Sequence, residues 1–115
     1  MATPPNDLPS EVDVHFVKSL VDQGETFLLL DCRTNEEYAI ARIEGSQLIP
    51  MSELATRMEE LQDHVDRRIV VYCHLGGRSH QVTQWLRQQG FSGAQNMLGG
   101  IDAWAVEIDP QLRRY

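Results

Sequence analysis

Ile69-Val70-Val71-Tyr72 is β-branched or aromatic at every position and runs directly into Cys73 and the stretch His74-Leu75-Gly76-Gly77-Arg78. Such a run favours a strand buried on both faces. Val82, Trp85 and Leu86 then recur at helical spacing up to Gly90, which ends the helix. A strand, a glycine turn and a helix in succession make a βα unit, and that restricts the chain to folds organised around parallel strands.

The same alternation extends in both directions. Val14, Val17 and Val21, flanked by Phe16 and Leu20, predict an amphipathic helix stopped by Gly24. Phe27-Leu28-Leu29-Leu30 reads as a buried strand ending in Asp31-Cys32-Arg33, and Thr34 with Glu37 forms a capping box for a brief helix. Gln47-Leu48-Ile49 suits a short strand closed by Pro50, and a helix with Leu54, Met58 and Leu61 on one face follows. Ala94 to Leu98 predicts a last strand before Gly99-Gly100, and Ile101, Trp104 and Ala105 a final helix. The expected fold is α/β, a mostly parallel sheet covered by helices on both sides. Residues 1–9, proline-rich and polar, are expected to be a loosely held, flexible lead-in, and residues 10–115 one domain. In such sheets ligands bind beyond the carboxyl ends of the strands, where both Cys73 and Asp31-Cys32-Arg33 fall.

Composition narrows the function. A formal net charge of -7 disfavours a nucleic-acid partner or an anionic membrane, since both are held by basic patches. No stretch approaches the roughly 20 apolar residues of a membrane span. Met1 to Ser10 has three prolines, an Asp and no basic or long apolar run, so it does not begin like an export signal, and a cytoplasmic protein is expected. Free thiols are expected at Cys32 and Cys73. His15, His64 and His80 form no ligand spacing with the cysteines and are expected at the surface, with no metal and no cofactor.

The segment after Tyr72 carries the chemistry. Gly76 and Gly77 can both take positive φ, which lets successive N–H groups converge into an anion-binding nest before a helix N-terminus. A cysteine there meets amide dipoles, a helix terminus and Arg78, all of which favour the nucleophilic thiolate. The plainer alternative is a Cys73 that only packs at a strand end. Cys32, inside a hydrophobic run with no glycine loop behind it, reads as a structural thiol.

This strand, cysteine, glycine loop, arginine and helix resemble the active-site loop of the rhodanese family. Asp31-Cys32-Arg33 with Glu37-Tyr38 is similar to that family's Asp-Val-Arg and Glu-Tyr signature. Gly45 to Pro50 falls where it reads Gly-Ala-x-Asn-Ile-Pro, and Gly99-Gly100-Ile101-Asp102-Ala103-Trp104 resembles its closing motif. The resemblance runs from Val12 to Glu107, and the ending Ile108 to Tyr115 is similar to rhodanese domains fused to adenylyltransferases of molybdopterin or thiamine synthesis. It implies a three-layer α/β/α fold with a central, mostly parallel five-stranded sheet. It also implies a sulfurtransferase in which Cys73 takes a sulfane sulfur from thiosulfate or a persulfide and passes it, as a persulfide, to a thiol, cyanide or a sulfur-accepting protein. His74, Leu75, Gly76, Gly77 and Arg78 would cradle that persulfide. Two departures stand out: Ala41-Arg42-Ile43 where many members have Gly-His-Ile, and His74 where many have Arg. The second lowers the positive charge near the sulfur and disfavours thiosulfate, a dianion.

For His74 a general acid or base and a solvent-facing bystander are both open readings. Asp31 and Arg33 either support the loop and meet the donor, or form an ion pair that closes the strand end. Three rival functions remain: a persulfide relay, an inactive rhodanese-like binding module, and a cysteine phosphatase or arsenate reductase. Against the last, only four residues separate Cys73 from Arg78, one fewer than in phosphatase loops, so the cradle has fewer N–H donors for a tetrahedral oxyanion.

Overall fold

The structure, a computed structural model, describes residues 8–115. Five strands form one sheet in the order β1-β5-β4-β2-β3: β1 (Glu11–Val12), β2 (Leu28–Asp31), β3 (Gln47–Leu48), β4 (Ile69–Tyr72) and β5 (Ala94–Met97). Every pairing is parallel, with Leu28 opposite Ile69 and Asp31 opposite Tyr72 across the central pair.

Side chains alternate across the sheet as the pleat requires. Ile69, Val71 and Cys73 face one layer with Leu28, Leu30, Cys32, Val82 and Leu86. Val70 and Tyr72 face the other with Leu29, Val17, Ile101 and Trp104. Helix α3 (Gly77–Gln88) covers the first face, and α1 (Val14–Asp22) and α4 (Gly100–Glu107) cover the second. Helix α2 (Asn35–Ile40) opens on the expected capping box, with the Thr34 side chain accepting from Glu37 N–H.

Several expectations are corrected. The stripe that α1 buries is Val14, Val17 and Leu20, whereas Val21 is 46% exposed. An i±3 row drifts around the helix, and such a row is the ridge α1 presents where it packs on α4. The helix expected through Leu54, Met58 and Leu61 is two 3-10 helices, Met51–Thr56 and Met58–His64. The break falls at Arg57, whose guanidinium bonds Glu53 on one side and Glu60 on the other, and the phase reset lets Leu54 and Leu61 both reach the core. His64 is half-buried, not fully at the surface. The edge strand β1 has no counterpart among the expected elements. Its ladder to β5 is continued by Asn96 N–H bonding Ser10 O at 2.8 Å and Leu98 N–H bonding Val12 O at 2.8 Å. Of the expected lead-in, residues 1–7 lie outside the described residues. The Leu8 and Pro9 carbonyls accept from Arg87 and Gln95 side chains.

Candidate functional site

Cys73 follows β4 and lies beneath the turn that leads into α3. The turn depends on one glycine: Gly76 takes φ 110° as the N-cap of α3, a region that L side chains rarely enter. Gly77 does not take positive φ as expected; it is the first residue of the helix and a Cβ there would meet open space.

The turn aims donors at the sulfur. Gly76 N–H bonds Cys73 Sγ at 3.1 Å, and Ser79 Oγ lies 3.3 Å from it. Burial raises the Cys73 pKa, but the Ser79 hydroxyl and the amides of Ser79, Gly76 and Leu75 outweigh it, so the thiol sits below its ordinary value. Ser79 Oγ is also 2.6 Å from Asn96 Oδ1. A hydroxyl has one hydrogen, so when it serves the sulfur, an Asn96 amide turned to present its NH2 satisfies the oxygen. Ser79 and Asn96 are both buried, which keeps this pair free of competing water.

From below, α4 holds the carbonyl side of the same turn. Ile101 N–H bonds Cys73 O at 2.9 Å and Asp102 N–H bonds His74 O at 3.1 Å. Gly100, at φ 61°, passes so close that a Cβ would overlap the His74 carbonyl oxygen.

Arg78 makes no hydrogen bond to the sulfur and clasps Glu37, Nη1 to Oε1 at 2.6 Å and Nη2 to Oε2 at 2.9 Å. That fork, together with the Tyr115 hydroxyl, pulls the Glu37 carboxyl down to about 2. Asp31 and Arg33 are fully buried and bond each other through three Arg33 nitrogens, the backbone N–H, Nε and Nη2. Arg33 also donates to Ala41 O, Glu37 O and the Tyr115 hydroxyl, so none of its bonds reaches residues 74–78. Tyr115 donates in turn to Glu37 Oε2 at 2.8 Å, and its ring stacks on His74 at 4.1 Å. Asp31, Arg33, Tyr115, Glu37 and Arg78 therefore form one chain of bonds behind the loop. His74 is half-buried beneath Tyr115 with no partner for Nε2, and Leu75 is 64% exposed. Cys32 is buried, its thiol donates to Tyr72 O at 3.5 Å, and burial together with the charge of Cys73 pushes its pKa far up.

The sequence reading brought together the cysteine and its loop but assigned no site role to Ser79, Asn96, Glu37, Tyr115 or the α4 amides. Ser79 follows Arg78 directly, so its place beside the loop is legible in the sequence. Glu37 enters the sequence analysis as a cap and as part of the Glu-Tyr signature, and it does cap α2. No local signal ties Asn96 or Tyr115 to Cys73: the pairing of β5 on β4 brings Asn96 there, and the segment after α4 brings Tyr115.

The rhodanese-like domain family matches residues 13–107. A sulfurtransferase of Allochromatium vinosum is 38% identical over 84% of this chain and 88% of its own length. The maize adenylyltransferase and sulfurtransferase MOCS3-2 is 36% identical over 85% of this chain, but the match spans only 21% of that longer protein. The human single-domain sulfurtransferase TSTD1 superposes with a TM-score of 0.76 at 29% identity, covering 87% of this chain and 98% of its own. A match that spans nearly the whole chain, on the fold just described, places it in the rhodanese-like family of sulfurtransferases and sulfur carriers.

Proposed function

We propose that the protein moves a sulfane sulfur through a persulfide on Cys73. The observation that carries this reading is the convergence of the Gly76 amide and the Ser79 hydroxyl on a thiol already below its ordinary pKa. In the first step the Cys73 thiolate attacks the outer sulfur of the donor. The donor's S–S bond breaks, and its remainder leaves with the electron pair, sulfite from thiosulfate or a thiolate from a persulfide. A thiol or cyanide acceptor then attacks the outer sulfur of the Cys73 persulfide and returns Cys73 to the thiolate. The loop amides hold the terminal sulfur anion through both steps as fixed donors that need no reorganisation.

The arrangement favours a persulfide donor over thiosulfate. Arg78 is the cation of the loop and is neutralised by Glu37, and Arg33 is buried against Asp31. A dianion therefore meets little uncompensated positive charge. Initial rates of sulfur transfer to cyanide with thiosulfate and with cysteine persulfide test this. A higher rate with the persulfide, and none from Cys73→Ser, is expected. Transfer that survives in Cys73→Ser would overturn the reading.

A relay role, passing the sulfur to a protein acceptor, is the second reading. It is supported by the similarity to the putative sulfur carrier protein YrkF of Bacillus subtilis, 34% identical over 86% of this chain and 52% of that protein.

A further inference from the structure

Cys32 is a buried nucleophile that sulfur transfer leaves unused. The β2–β4 register runs Leu28 to Ile69 through Asp31 to Tyr72, and Cys32 N–H extends it by bonding Tyr72 O at 3.1 Å. The next residues across the two strands are therefore Cys32 and Cys73. Alternation puts both side chains on the same face, in the cluster that holds Leu28, Leu30, Ile69 and Val71. Paired strands lie about 4.8 Å apart, inside the roughly 4.4–6.8 Å that separates the Cα atoms of a disulfide. Both cysteines are free.

Building on the Cys73 persulfide proposed above, we propose that Cys32 is its internal resolving thiol, giving the protein a second activity, release of hydrosulfide. Cys32 Sγ attacks Cys73 Sγ, the inner sulfur of the persulfide. The bond between Cys73 Sγ and the sulfane sulfur breaks, and the sulfane sulfur leaves with the electron pair and the Cys32 thiol proton as hydrosulfide. The two cysteine sulfurs are oxidised to a disulfide while the sulfane sulfur is reduced to sulfide, so no outside oxidant enters. A dithiol reductant reopens the disulfide. The Cys32 thiol is buried and bonded to Tyr72 O, which holds it back as a nucleophile, so an external acceptor is served first and internal discharge follows when none arrives.

The full chain and the variants Cys32→Ser and Cys32→Val are loaded with cysteine persulfide under anaerobic conditions, freed of donor and left without acceptor. Intact mass and released sulfide are followed. Wild type is expected to pass from one sulfur heavier to two hydrogens lighter than the reduced protein, with stoichiometric sulfide, and to return to the reduced mass with dithiothreitol. Both variants are expected to keep the added sulfur. A wild type that holds its sulfur as long as the variants do, or that loses it without losing two hydrogens, overturns the inference. If none of the three gains sulfur, the persulfide reading beneath it fails instead.

Discussion

Replacing Tyr115 with Phe isolates the hydroxyl that joins the buried arginine to the back of the loop. Arg33 is 0% exposed, and its five N–H donors are matched by Asp31, Ala41 O, Glu37 O and the Tyr115 hydroxyl. Tyr115 contributes the 2.7 Å bond to Nη1, leaving that nitrogen only the 3.3 Å bond to Glu37 O when it is removed. An unpaired buried donor costs about 1–3 kcal/mol. Tyr115 is itself 37% exposed, so water reaches part of the gap and the lower half of that range, about 1–2 kcal/mol, applies. For a domain of this size that is a fall in Tm of about 4–8 °C. Tyr115→Phe keeps the stack on His74, so a further loss in Tyr115→Ala measures the stack. Thermal unfolding followed by circular dichroism gives both values. A Tyr115→Phe midpoint indistinguishable from wild type would refute the claim that this hydroxyl completes the shell of Arg33.

Three further outcomes follow from the same contacts. Glu37 is held at about 2, below its ordinary 4.5, so its bonds with Arg78 and Tyr115 add stability that is complete above about pH 4.5 and lost as pH falls toward 2. Wild type should exceed Glu37→Gln in stability at neutral pH, with the gap closing across that window; a gap independent of pH contradicts it. Ser79→Ala removes a donor to the thiolate, and a bond to a charged group worth about 1.5 kcal/mol translates into roughly tenfold slower alkylation of Cys73 by iodoacetamide at neutral pH. An unchanged rate would take Ser79 out of the site. Gly100→Ala drives a Cβ at the His74 carbonyl from a backbone with positive φ, so a loss of about 2 kcal/mol or more in chemical denaturation is expected, and a neutral effect would show that α4 can withdraw from the loop.

What the sequence made legible was local. Ile69 to Tyr72, the cysteine after it and the helix through Val82 and Leu86 form a contiguous βα unit whose signals agree. The Thr34 capping box likewise depends on residues three apart. What it hid was decided by distant partners. Glu11–Val12 is a strand only because β5 offers it a ladder, and no pattern in two residues announces that. The segment around Arg57 has helical apolar spacing, yet the ion pairs to Glu53 and Glu60 brace a break between two 3-10 helices. Arg78 was expected to lend its charge to the sulfur. Its charge does couple to Cys73, but Glu37, 41 residues earlier, binds its guanidinium, and Tyr115 reaches His74 from the far end of the chain.

The most direct test of the account is the intact mass of the protein after brief treatment with cysteine persulfide, read before and after addition of cyanide, for wild type and Cys73→Ser. A gain of one sulfur atom that requires Cys73 and disappears with cyanide is the result expected. A gain that persists in Cys73→Ser, or a wild type that never takes up sulfur, would contradict the claim that Cys73 carries it.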